Sequence, residues 1–99
     1  MNKLKIKTEN TLYDTAELFK VFSDSTRIRI LYCLIDKNMN VSEIVQKINM
    51  NQSAVSHQLR ILKSAKLIKS KKEGRSVVYS LSDNHVYNII AQGIEHTEE

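Results

Sequence analysis

The chain contains no proline and only two glycines, Gly74 and Gly93, so backbone chemistry alone stops very few helices along its 99 residues. Element ends are read instead from apolar periodicity and from Ser, Asn and Asp side chains able to cap helices. Leu12, Ala16, Phe19 and Phe22 recur at helical spacing and predict a first helix over about 10–22. Ser23-Asp24-Ser25 offers caps to a second helix with Ile28, Leu31, Leu34 and Ile35 as its buried stripe and Arg27 and Arg29 pointing elsewhere. Asp36 to Asn40 reads as a polar loop, and Ser42 as the cap of a short third helix burying Ile44, Val45 and Ile48. Asn49-Met50-Asn51 then leads into a longer helix, about 52–65, with Val55, Leu59 and Leu62 inward. Two helices joined by so short a turn make a helix-turn-helix candidate.

Downstream, Leu67 to Lys72 and Ser76 to Leu81 flank Glu73-Gly74-Arg75, and Val77, Tyr79 and Leu81 alternate onto one side. This is a β-hairpin in which Gly74 supplies the positive φ of the turn. Asp83 caps a last helix, about 84–97, with Val86, Ile89, Ile90 and Ile94 as its apolar stripe. The fold class is mainly α with a β-hairpin wing, a winged helix-turn-helix occupying the whole chain as one domain.

A chain this short has room for one core of marginal size, so a second copy is an expected partner. Fifteen Lys and Arg against eleven Asp and Glu leave a net charge of +4 and a pI near 9.3, which suits a polyanion. The single cysteine, Cys33, closes no intrachain disulfide and builds no thiolate-rich metal site. Its apolar neighbours place it in the core, and a reducing, cytoplasmic setting is expected. Ile30 to Ile35 is the longest strongly apolar run, far short of the roughly 20 residues that span a bilayer. Met1 to Asn10 alternates Lys with Leu and Ile and has no signal-peptide apolar region. No membrane role is expected. Nor is an enzyme, or a small organic substrate, because no glycine-rich phosphate loop, nucleophile motif or open three-ligand metal site is visible.

With Val55, Leu59 and Leu62 inward, a turn of 100° per residue puts Ser53, His57, Arg60 and Ser64 on the opposite face of the longer helix, with Ser56 and Lys63 between. Gln52 adds an amide at the helix start. Short polar side chains at that end can approach base edges in the major groove, while Arg60 and Lys63 suit phosphates. His57 serves equally well as a local hydrogen-bonding group. The hairpin carries Lys69, Lys71, Lys72 and Arg75 around a tip that can follow the adjacent DNA backbone. A solvated polar face explains such residues taken singly; helix-turn-helix and basic hairpin together point to double-stranded DNA.

On the last helix, His85 and His96 are eleven residues apart, with Asp83 just before the first and Glu99 three after the second. Eleven residues turn the helix about 20° past three full turns, so both imidazoles share a face, yet they lie roughly 16 Å apart along the axis. Metal–ligand bonds of about 2 Å cannot span that distance. Shared binding therefore requires an antiparallel copy of the helix that sets Asp83 and His85 of one chain beside His96 and Glu99 of the other, giving two sites per dimer. Ala91 and Gly93 near the midpoint allow close approach of two backbones. The N₂O₂ donor set suits Zn²⁺, with Co²⁺ a substitute. Spacing alone is equally compatible with surface histidines and an ordinary Asp83 cap.

The segments Phe19 to Leu31, Gln52 to Leu62 and Glu73 to Leu81 resemble the opening signature, recognition helix and wing of the ArsR/SmtB family of bacterial metal-sensing winged-helix repressors, with Ser25 where that family often has proline. Asp83-Asn84-His85, ten residues, His96, two residues and Glu99 are similar to the pattern of members that sense zinc across paired C-terminal helices. The paired-cysteine pattern of arsenic, cadmium and lead sensors is absent, since Ser42 to Val45 occupy that region. The resemblance implies a homodimer joined by its first helix (about 10–22) and last helix (about 84–97). It also implies an apo protein bound to operator DNA, and release by Zn²⁺ as inducer. Co²⁺ remains open, as does Ni²⁺ with extra waters or N-terminal groups completing an octahedron. A repressor of the same fold answering a different, non-metal signal is the alternative.

Overall fold

The computed structural model describes residues 8–99, so the Lys, Leu and Ile alternation in Met1 to Asn10 lies outside the described residues. The elements run α1 (Glu9–Phe22), α2 (Ser25–Asp36), β1 (Met39–Asn40), α3 (Val41–Ile48), α4 (Gln52–Ser64), β2 (Ile68–Glu73), β3 (Ser76–Leu81) and α5 (Asn84–Glu98). Each helix begins at a side chain that accepts the N–H three residues on: Thr8, Asp24, Asn40, Asn51 and Asp83. Such caps satisfy donors that the first turn leaves without partners. Among the described residues, no helix is long and apolar enough to cross a membrane.

The cap of α3 is Asn40, not Ser42. Asn40 accepts from the Glu43 N–H, and the Glu43 carboxylate accepts from the Asn40 N–H, both at 2.9 Å. This reciprocal box starts the helix two residues earlier than a cap at Ser42 would. The Asn40 N–H, with Lys37 nearby, also holds the Glu43 carboxyl below its ordinary range.

The stretch from Asp36 to Asn40 is likewise not wholly a loop. Met39 and Asn40 pair with Tyr79 and Val78, so the hairpin gains a third strand in the antiparallel order β1-β3-β2. Met39 is 2% exposed. Two residues are too few to show strand alternation, and their pairing depends on an edge supplied about forty residues later in the chain. The hairpin itself runs in register from Ile68 opposite Leu81 to Glu73 opposite Ser76, with Gly74 at φ +63° in the two-residue turn.

The core is centred on Ile30, Leu31, Ile44, Val55, Leu59 and Leu62. Ile30, outside the predicted stripe of α2, is fully buried because α2 packs on α1, α3, α4, α5 and β3 and so hides a broad arc. In α1 the predicted face divides. Phe22 is buried, but Leu12 and Phe19 remain 53% and 52% exposed and Ala16 is exposed. The half-buried Leu18 and Val21 make the core contact instead. The remaining apolar periodicity of α1 marks a face that one chain leaves uncovered.

At the end of α4, the N–H of Lys66 donates to the Lys63 carbonyl and that of Leu67 to the Leu62 carbonyl, both at 3.0 Å. Lys66 takes the left-handed conformation at φ +64°. This is a Schellman stop with a lysine where glycine is favoured. Lys66→Gly is therefore expected to raise stability by about 1 kcal/mol, read as a higher urea midpoint at unchanged slope. A lower midpoint would contradict this account of the turn.

Candidate nucleic-acid interface and metal ligands

The polar face of α4 is displayed as the helical spacing requires. Val55, Leu59 and Leu62 point into the core, while Gln52, Ser53, His57, Arg60 and Ser64 are exposed and Ser56 is half-buried. Asn51 caps α4 through the Ala54 N–H at 2.8 Å, leaving Gln52 and Ser53 on the first, exposed turn. Lys63 is exposed, and its Nζ donates to Ser70 Oγ on β2 at 2.7 Å. That bond ties the edge of the polar face to the wing.

Lys69, Lys71, Lys72 and Arg75 are all exposed on the hairpin. Alternation along β2 puts Lys69 and Lys71 on one face and Lys72 on the other, with Arg75 in the turn. Ion pairs among the described residues lie elsewhere: Lys20 with Glu17 at 2.8 Å and Lys37 with Glu43 at 3.6 Å. The wing cations keep their charge uncompensated beside α4, an arrangement able to meet a phosphate backbone.

Two residues of this region escape sequence reasoning. Arg27 on α2 donates through Nε to the Val21 carbonyl at 2.8 Å and through Nη1 to Gln58 Oε1 on α4 at 3.1 Å. Arg29 donates from Nη2 to the Ile48 carbonyl at 2.8 Å, closing the end of α3. Both were expected only to point away from the core stripe. Gln58 lies 31 residues from Arg27 and Ile48 19 residues from Arg29, and no local pattern announces such pairings.

At the start of α5, Asp83 Oδ1 accepts from the Val86 N–H at 3.2 Å and lies 3.5 Å from His85 Nδ1. The Val86 N–H, with the neighbouring imidazole, holds the Asp83 carboxyl below its ordinary range. Asp83 is thus a candidate ligand for a cation. The His85 side chain is 91% exposed. His96 and Glu99 are exposed at the far end, where the Glu99 N–H bonds the His96 carbonyl at 3.4 Å. Among the described residues, no three His, Cys, Asp or Glu side chains of one chain cluster to hold an ion. The candidate ligands fall into two pairs at opposite ends of one helix, and either pair alone is incomplete for a four-coordinate ion. Cys33 is 6% exposed, and burial pushes its thiol up from the ordinary range.

The Bacterial regulatory protein, arsR family model matches residues 24–70. A transcriptional repressor SmtB homologue from Synechocystis sp. is 40% identical over 85% of this chain, which spans 64% of that protein. A cadmium resistance transcriptional regulatory protein CadC homologue from Staphylococcus aureus is 37% identical over 87% of this chain and 72% of its own length. The regulator NmtR of Mycobacterium tuberculosis is 39% identical over 84% of this chain and 69% of its own. The solution structure of apo-NmtR superposes with a TM-score of 0.81 at 33% identity, covering 99% of this chain and 83% of that one. A homodimeric winged helix-turn-helix domain from Mycobacterium bovis matches in fold, with a TM-score of 0.86 at 24% identity over 100% of this chain and 92% of that one.

Proposed function

The chain belongs to the ArsR/SmtB family of bacterial transcriptional regulators, and from that premise we propose that it is a cytoplasmic homodimeric repressor that holds operator DNA when metal-free and releases it on binding zinc between paired copies of α5. The observation that carries the DNA-binding part is the exposed polar face of α4 joined through Lys63 and Ser70 to an unpaired basic wing. Gln52, Ser53, Ser56 and His57 are the base-edge candidates, and Arg60, Lys63, Lys71, Lys72 and Arg75 the phosphate candidates.

The dimer is supported by the apolar surface one chain leaves open. Leu12 and Phe19 are exposed on α1, and a groove of about 530 Å³ runs between α1 and α5, lined by Phe19, Phe22, Ile28, Ile89, Gly93 and Ile94. A Cβ at Gly93 meets nothing within 4 Å. Within one chain the glycine therefore has no packing reason, and it suits the approach of a second backbone.

The inducer site is assigned to Asp83 and His85 of one copy with His96 and Glu99 of the other. Two imidazoles and two carboxylates fit zinc, and cobalt by substitution. The relatives include proteins named for SmtB and for cadmium resistance; this chain has no thiolate pair for a soft ion. A bound ion would supply a cross-link favouring one dimer geometry over another. Asp83 meanwhile caps α5, so donor and helix end are held together, and α5 packs on α2 and β3, next to both DNA-contacting elements. Coupling is reciprocal: DNA must weaken metal binding by the factor that metal weakens DNA binding.

The test is a titration of a duplex enriched by the protein from a random pool, with apo protein and with one equivalent of zinc, cobalt or nickel per chain. Tight apo binding and release by zinc and cobalt are expected. Release by nickel alone would replace the tetrahedral assignment, and indifference to all three would favour a repressor with a non-metal signal.

A further inference from the structure

The side-chain bonds of Arg27 join three helices, and their geometry bears on how α4 is aimed. Arg27 sits in the first turn of α2, where its own N–H is held by Asp24 Oδ2 at 3.1 Å. Its Nε takes the Val21 carbonyl, one of the last four of α1, which lack partners within that helix. The bond is charge-assisted and sits at the negative end of the α1 dipole. The same guanidinium reaches Gln58 Oε1 on α4. A planar fork holding two acceptors from different helices fixes their relative placement more tightly than a single contact.

Gln58 lies about 70° from the core direction of α4 defined by Val55, Leu59 and Leu62, and Lys63 about 70° on the other side. Each flank is thus braced by a polar bond, Gln58 to Arg27 and Lys63 to Ser70. Hydrophobic contacts tolerate rotation of a helix about its axis, because they are non-directional. Hydrogen bonds do not. A roll of 20° moves groups at the helix surface by roughly 2 Å, enough to break a base-edge hydrogen bond. Of the two braces, only that of Arg27 leads back to α1, whose exposed apolar face belongs to the proposed dimer surface.

We infer that Arg27, by holding Gln58 against the end of α1, is a positioning residue that sets the roll of α4 and so the sequence discrimination of Ser53, Ser56 and His57. The inference rests on the DNA-binding reading. It goes beyond that reading in assigning specificity to a side chain that touches no base.

The test uses the full chain and the enriched duplex, with a scrambled duplex of equal length as reference. Gln58→Met retains length and helix propensity but removes the acceptor. It is expected to bind the scrambled duplex within about twofold of wild type, with the same salt slope, while its preference for the enriched duplex falls about tenfold. Gln58→Glu keeps an acceptor for Arg27 Nη1 and is expected to retain the preference within about threefold, even if its charge weakens both duplexes alike. Undiminished preference in Gln58→Met, or equal loss in both variants, overturns the inference. A wild type that enriches no duplex would sink the DNA-binding reading and this inference with it, whereas one that enriches a duplex which Gln58→Met prefers equally would sink the inference alone.

Discussion

Metal-free His96→Ala is expected to bind the enriched duplex within about twofold of wild type and to keep it when zinc is added, where wild type loses between about 5- and 150-fold. His96 is exposed at the end of α5 and makes no core contact, so the substitution leaves the wing and α4 intact. It removes one of two imidazoles from each shared site, leaving three donors. Asp83→Asn separates the two roles of that residue, because asparagine caps a helix as well as aspartate but brings no charge to an ion. Normal thermal stability with weakened zinc response is the expected outcome there. Zinc affinity in wild type should fall as pH drops below neutral, since two imidazoles per site must be free of protons. The Val86 N–H and the neighbouring His85 hold the Asp83 carboxyl below its ordinary range, so the expected fall belongs to the imidazoles. Zinc release that survives in His96→Ala would place the inducer site elsewhere.

Replacing Lys71, Lys72 and Arg75 together by glutamine is expected to weaken DNA binding by roughly a hundredfold or more at low salt and to flatten its salt dependence. Each phosphate neutralised contributes about −0.9 to the slope of log affinity against log salt. Six charges per dimer are removed, so the slope should shrink by about 3 to 5 if most of them contact phosphate. These side chains are exposed and outside the described ion pairs, and the turn geometry rests on Gly74, so the hairpin itself should persist. Preference among duplex sequences should change little, because phosphates carry no sequence information directly. An unchanged slope would remove the wing from the interface.

The residues these variants probe are legible from residue spacing, and the reason is geometric. Ser53, His57, Arg60 and Ser64 share a face because the helix repeats every 3.6 residues. Lys71, Lys72 and Arg75 cluster because a two-residue turn brings strand ends together. His85 and His96 align by the same helical arithmetic, which also shows that one rod cannot close the site. Asp83 and His85 stand at one end of α5 and His96 and Glu99 at the other, and their joint use as ligands remains a proposal. The direction of the proposed metal effect rests on family likeness; spacing is silent about it.

Where the pattern misled, the cause was a partner distant in the chain. Asn40 displaced Ser42 as the cap of α3 because Met39 and Asn40 were already positioned by pairing with β3. Leu12 and Phe19 repeat as a core stripe would, yet α1 meets the core through Leu18 and Val21. Periodicity reports that a face is apolar, and a second chain can cover it as well as the same one.

From the sequence by itself came the order of the five helices and the hairpin, a cap for α2 within Ser23-Asp24-Ser25 and one for α5 at Asp83, the Gly74 turn and the polar face of α4, since each depends on residues within a few positions of one another. Only the tertiary structure decided that α2 is the helix on which the others pack, that Met39 and Asn40 form a strand, and that Arg27 and Lys63 brace α4 from either side. Those features are pairings between segments far apart in the chain, and their geometry exists only once the core has brought the segments within hydrogen-bonding distance.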